Sequence, residues 1–236
     1  MGARAKAIFP LAIVIGILSF AWTEFSLNFT FHWVTEGDLG NGLELPSSFH
    51  LILPTAFIAW GLFFAAGGDN AAFGKIFLAA VFGSVAALVT MPLSFKTAEL
   101  PDFWGIALWV GIFAFVLVMV LVAGDWYYVA GTFPCFAAVF LWWIATGLDG
   151  WAPNGGGTSS TVDTIVGSLT QGILAEGSAG AGAGFGAFAG ILSTSWGWVW
   201  FNTFVTLVCG VILGIVSAKV AAVLTPKPKA AAEAAA

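Results

Sequence analysis

The sequence predicts an all-α membrane protein, a bundle of six transmembrane helices with a glycine-rich insertion before the last. Three observations carry that expectation. Hydrophobic residues make up 60% of the 236 and charged residues only 8%, against about 25% charged in a soluble domain, so too little polar surface is available to face water. Apolar runs of about 20 residues, the length that crosses a hydrocarbon core at about 1.5 Å per residue, recur along the chain. Helix is the state expected for each run, because lipid offers the backbone no other hydrogen-bond partner.

The first span is expected from Ile8 to Phe29, behind Arg4 and Lys6. That charged start resembles the front of a signal peptide. The apolar run continues past Phe20 without a small-residue cleavage pattern, so it reads as a retained helix. The second span covers Phe49 to Ala66 and stops at Gly67-Gly68; the third covers Phe73 to Leu93, just past Pro92. The fourth covers Phe103 to Ala123, the fifth Tyr128 to Thr146, and the last Trp196 to Ala218. Residues 1–224 then form one transmembrane domain, and 225–236, rich in Pro, Lys and Ala, form a disordered tail.

The stretch at about 150–192 differs. It opens with Asn154-Gly155-Gly156-Gly157-Thr158-Ser159-Ser160, a flexible loop pattern. It continues as a Gly/Ala-rich segment of poor helix propensity. It could span, dip in and return, or lie outside. Basic residues favour the cytoplasmic side, and they arbitrate. Arg4, Lys6, Lys75, Lys219, Lys227 and Lys229 all fall on one side if the glycine-rich stretch does not cross. Both termini are then cytoplasmic. Lys96 is the misfit, with Glu99 and Asp102 nearby.

Spans two and five share a pattern. Pro54 and Pro134, Gly67 and Gly147, and Asp69 and Asp149 each stand at an offset of 80. Each proline falls in the first half of its predicted span, where it would remove a backbone donor and free a carbonyl. Grouped three plus three, with an odd number of helices in each half, the halves point in opposite directions across the membrane. That is the inverted-repeat plan of many transporters, whose solute sites lie at the midplane.

Four stretches also carry a family resemblance: Pro54 to Gly68 with Gly74-Lys75 and Phe82-Gly83-Ser84-Val85, Gly111 to Phe115, Gly131 to Pro134, and Gly210 to Gly214. Together they resemble the small bacterial inner-membrane family of unknown function typified by the YcdZ protein. The resemblance covers Leu51 to Ser217, with Asp149–Leu192 as an insertion. It implies a six-helix protein of the bacterial inner membrane and supplies no catalytic residues.

Glu24 is the sharpest single residue. It lies roughly 24 Å into the first helix, near the outer edge of the hydrocarbon, where an ionisable group is a functional candidate. Asn28, Thr30, Asn202, Thr203 and Thr206 could line a hydrogen-bonding path or simply bond between helices. Pro54, Trp60, Pro134 and Trp142 mark the cores of spans two and five, and Trp143 also lies deep. With Glu24, Asn28 and Asn202 they make the expected solute path. Gly83 with Ala87, and Gly210 with Gly214, have the small-xxx-small spacing of close helix packing. Trp22, Trp33, Trp104, Trp126, Trp151, Trp196 and Trp198 fall near predicted span ends and read as an interfacial belt. His32 and His50 flank an acidic loop with Glu36, Asp38 and Glu44, but nothing in their spacing requires a metal.

Cys135 and Cys209 sit in apolar runs as small buried hydrophobes. The net charge of −5 argues against nucleic acid. No nucleotide loop, nucleophile-plus-base pattern or Cys/His metal spacing is found, so neither an enzyme nor a cofactor is expected. The expected function is a channel or facilitator for a small uncharged or weakly polar solute, acting in the lipid bilayer as a homo-oligomer or with a membrane partner. The alternatives are an accessory subunit of a larger membrane complex and, further off, a metal-dependent membrane enzyme using the His32/His50 loop.

Overall fold

The computed structural model describes residues 3–28, 49, 51–97, 99–101, 104–145 and 196–225. These form six α-helices: α1 (Ala3–Asn28), α2 (Leu53–Ala65), α3 (Asn70–Lys96), α4 (Trp104–Met119, extended by a 3-10 turn Val120–Ala123), α5 (Val129–Ala145) and α6 (Trp196–Leu224). Residues 29–48 with His32, the residue His50, the glycine-rich stretch and 226–236 lie outside the described residues.

Four stretches, Ala7–Ser26 of α1, all of α3, α4 with its 3-10 turn, and all of α6, are long and apolar enough to cross a membrane, which marks a membrane protein. The other two helices are shorter. α2 has 13 residues and α5 has 17, so at about 1.5 Å per residue they reach roughly 20 and 26 Å, against a hydrocarbon core of about 30 Å. Pro92, near the predicted end of span three, lies inside α3, which runs on to Lys96. α6 runs past Ala218 to Leu224 because Val220 to Leu224 continue the apolar pattern.

Local chemistry sets the ends. Pro54 occupies the first turn of α2, where its missing N–H costs no helix bond. Gly67 and Gly68 turn the chain with φ of 121° and 71°, a region that favours glycine. Asp69 then caps α3, its carboxylate accepting from the Ala72 N–H at 2.8 Å.

Two apolar clusters fix the helix directions. One joins Ile52 before α2, Met91 in α3, Trp143 near the end of α5 and Val199 near the start of α6. The other joins Phe63 in α2, Ala72 and Ile76 in α3, and Leu207 and Val211 in α6, with Tyr128 and Ala218 packed against it. α2 and α6 therefore run from the first cluster to the second, and α3 and α5 run back. Trp22 of α1 donates its indole N–H to the Leu53 carbonyl at 3.3 Å. Trp109 of α4 donates to the Thr97 hydroxyl at 3.2 Å. These bonds put the end of α1 and the start of α4 at the first-cluster end.

The most extensive packing is between α3 and α5 and, almost equally, between α2 and α6; α3 against α6 follows. α4 leans on α3 and α1 on α6, while the α1–α2 and α4–α5 contacts are slight.

Glycines make the two main seams close. A Cβ on Gly83 would stand 2.5 Å from the Thr132 carbonyl oxygen and 2.9 Å from the Cβ of Cys135. On Gly210 it would overlap the Ala56 carbonyl, and on Gly214 it would stand 2.6 Å from the Phe63 ring. Backbones approach this closely only where side chains are absent, the packing device of membrane helices.

Candidate functional site

The seven residues expected on a solute path are spread over α1, α2, α5 and α6. Glu24 is half-buried, just over one turn before the end of α1. Asn28 closes that helix, and its side chain lies outside the described residues. Pro54 is exposed at the start of α2. Trp60 is buried and donates its indole N–H to the Ser217 hydroxyl at 3.0 Å, so it ties α2 to α6. Trp142 is buried in the first apolar cluster. Asn202 is fully buried in α6, and its carbonyl accepts from Thr206 at 2.6 Å. Pro134 lies inside α5, unlike its counterpart Pro54.

Pro134 lines an open apolar groove of about 720 Å³ with Ile58 of α2, Ile106, Val110 and Ala114 of α4, and Phe133 of α5. The groove presents almost no polar atom. Its chemistry is that of a surface against lipid or another apolar helix, not of a polar solute site.

Trp22 departs from the expected belt. It is buried, at 7% exposure, because its N–H is engaged by Leu53. Trp104, at 65%, and Trp126 stay exposed at helix ends, as belt residues do.

Apart from the Asn202 amide, the buried polar side chains among the described residues are hydroxyls. Thr90 donates to the Ala86 carbonyl at 2.8 Å, Ser94 to Thr90 at 2.9 Å and Thr203 to Val199 at 2.7 Å. Ser84 donates to Val81 at 3.3 Å, Thr132 to Tyr128 at 3.0 Å and Ser217 to Gly214 at 2.8 Å. Each hydroxyl proton is thus engaged by a carbonyl one turn back, while the oxygen keeps acceptor capacity. Two buried hydroxyl oxygens, of Thr206 and Ser217, also accept. Thr206 takes the Ile52 N–H at 3.1 Å, a donor at the start of α2 that the helix itself leaves unmatched. Ser217 takes the Trp60 indole.

Sequence reasoning singled out Asn202, Thr203 and Thr206 but passed over Thr55, Ser84 and Thr90. The available signal was spacing. Ser84 stands four residues from Ala80 and three from Ala87, so the three share one helix face. A lone serine in an apolar run carries no weight until its partner helix is known.

Among the described residues, no group of three or more His, Cys, Asp and Glu could hold a metal ion. The His32, His50, Glu36, Asp38 and Glu44 set lies outside those residues. No family model, curated protein or solved structure matches the chain.

Proposed function

We propose that this chain is a facilitator for a small uncharged or weakly polar solute, built from two inverted three-helix halves and seated in the bacterial inner membrane. The observation that carries the reading is the packing order. Exchange α1 with α4, α2 with α5 and α3 with α6: the two dominant pairs trade places, as do the two intermediate pairs and the two slight ones. α3–α6 maps onto itself. A twofold relation between halves that traverse the bilayer in opposite senses has this consequence.

The helices that would form the core support it further. α2 and α5 hold corresponding places and are the short helices of their halves, the pattern that points to a transporter's midplane site. Their burial also agrees at the offset of 80. Thr55 and Cys135, Ala59 and Val139, and Phe63 and Trp143 are buried, while Phe57 and Ala137, and Gly61 and Leu141, are exposed.

In this reading all six helices cross, α2 and α5 at the cost of local bilayer thinning. Arg4, Lys6, Lys75 and Lys219 lie at the second-cluster end and make it cytoplasmic, with both termini there. Conduction through a narrow uncharged lining needs only modest hydrogen bonding.

Solute flux into proteoliposomes tests the function. Urea, short amides, ammonia and carbon dioxide are offered in turn, and at least one should enter faster than into empty vesicles. Background uptake of all of them removes the facilitator reading.

A further inference from the structure

The start of α6 carries four aromatic residues, Trp196, Trp198, Trp200 and Phe201. With Gly197 and with Leu88 of α3 they line one cavity of about 520 Å³, inside the roughly 300–1,000 Å³ range of small-molecule sites. Trp196 and Trp200 also pack against the first apolar cluster, so the cavity lies at that end of the bundle. It shares no residue with the Pro134 groove.

Its walls are rings. Trp198 and Phe201 meet edge to face, with centroids 5.7 Å apart and planes at 84°. Trp200 stacks on Phe204 at 5.6 Å. The Trp200 indole nitrogen is buried, so the ring surface it leaves open is carbon. Gly197 has nothing within 4 Å of the position its Cβ would take. Neither a close neighbour nor a positive φ requires glycine there, although glycine costs a helix stability. What it provides is room in the cavity.

Charge at this end of the bundle is one-sided. Residues 29–52, 97–103 and 146–195 join the helix ends there. They hold eight of the chain's twelve carboxylates and no lysine or arginine. Glu24, near the end of α1, is a ninth, and Lys96, at the end of α3, is the single base. Such a field concentrates cations and repels anions.

We propose that this cavity binds the quaternary ammonium group of a small soluble cation. Indole and phenyl faces attract a cation through the ring quadrupole, tryptophan most strongly. Tryptophan, phenylalanine, leucine and glycine side chains offer no hydrogen-bond acceptor. A primary ammonium would leave its three donors unmatched there, whereas a methylated ammonium has none to match. The acidic surroundings disfavour the phosphate that accompanies the same group in a choline lipid, so the occupant is a free solute. This site does not rest on the facilitator reading.

Fluorine NMR of the full chain, labelled with fluorotryptophan, tests it. The protein is placed in nanodiscs of phosphatidylethanolamine and phosphatidylglycerol, and choline is titrated in. Trp196→Phe, Trp198→Phe and Trp200→Phe assign the three resonances. All three should shift saturably, while that of Trp60, bonded to Ser217, should not. The alcohol with a tert-butyl group in place of the trimethylammonium has the same shape without the charge, and it should bind about tenfold more weakly. Gly197→Leu fills the cavity without displacing a neighbour. It should weaken choline binding about tenfold with thermal unfolding unchanged. Equal affinity for choline and the alcohol overturns the cation chemistry. No saturable shift, or undiminished binding by the Gly197→Leu variant, overturns the site. The same three shifts on adding phosphatidylcholine to the discs, without choline, would make the occupant a lipid headgroup and overturn the soluble ligand.

Discussion

The indole N–H of Trp60 donates to the Ser217 hydroxyl across 3.0 Å, joining α2 to the far half of α6. Trp60 was expected on a solute path, and the bond to Ser217 ties its indole into the α2–α6 seam. Trp60→Phe and Ser217→Ala should each destabilise the protein by about 0.6 kcal/mol, and by no more than about 1.7, the measured range for such bonds between membrane helices. A double-mutant cycle on unfolding in detergent should return a coupling of that size. Additive single effects would mean that the bond contributes nothing.

The α2–α6 seam makes a second prediction through a pair of glycines. Gly210→Ala sets a methyl group into the Ala56 carbonyl and forces the helices apart, a shape error costing about 1–3 kcal/mol. Gly61 of α2 has nothing within 4 Å of the position its Cβ would take. Gly61→Ala should therefore stabilise by about 0.5–1 kcal/mol through reduced backbone entropy. Thermal unfolding of the two variants in one detergent should move in opposite directions.

At the α2–α3 turn, Asp69→Ala removes the side-chain acceptor for the Ala72 N–H. The expected loss is about 0.5–2 kcal/mol, with Asp69→Asn restoring most of it, since either side chain caps a helix well. Loss of amide-exchange protection in the first turn of α3, strongest for Ala72, checks the local origin. Protection unchanged at Ala72 contradicts the capping role.

Much of the bundle was legible because periodicity and length determine where a chain can cross lipid. The predicted spans overlap all six helices among the described residues. Their ends were less legible. Pro92 looked like a stop, yet α3 continues for four residues to Lys96. Pro54 and Pro134 matched in sequence offset but differ in structure, because α2 starts one residue before Pro54 while α5 starts five before Pro134. The glycines of the small-xxx-small pairs were placed correctly at close helix contacts. Trp22 was not, because its burial depends on the Leu53 carbonyl across the bundle.

The candidate site was the least legible part. Glu24, Trp60 and Trp142 stood out by residue type, whereas Ser217 gains meaning only when the Trp60 indole of α2 reaches it. A hydroxyl in an apolar run is a cheap local helix bond until a second helix supplies a donor to it, as α2 does for Thr206 and Ser217. Which helix does so depends on tertiary packing, and residue type alone does not specify it.

The central element of the proposal is that the two three-helix halves enter the bilayer from opposite sides. The substitutions Ala5→Cys, ahead of most of α1, and Pro101→Cys, just before α4, test it directly, each made singly in a Cys135→Ala/Cys209→Ala background. A membrane-impermeant maleimide is applied to right-side-out and inside-out vesicles. The account predicts that the Ala5→Cys variant is labelled only from the cytoplasmic face and the Pro101→Cys variant only from the opposite face. Labelling of both from the same face would contradict it.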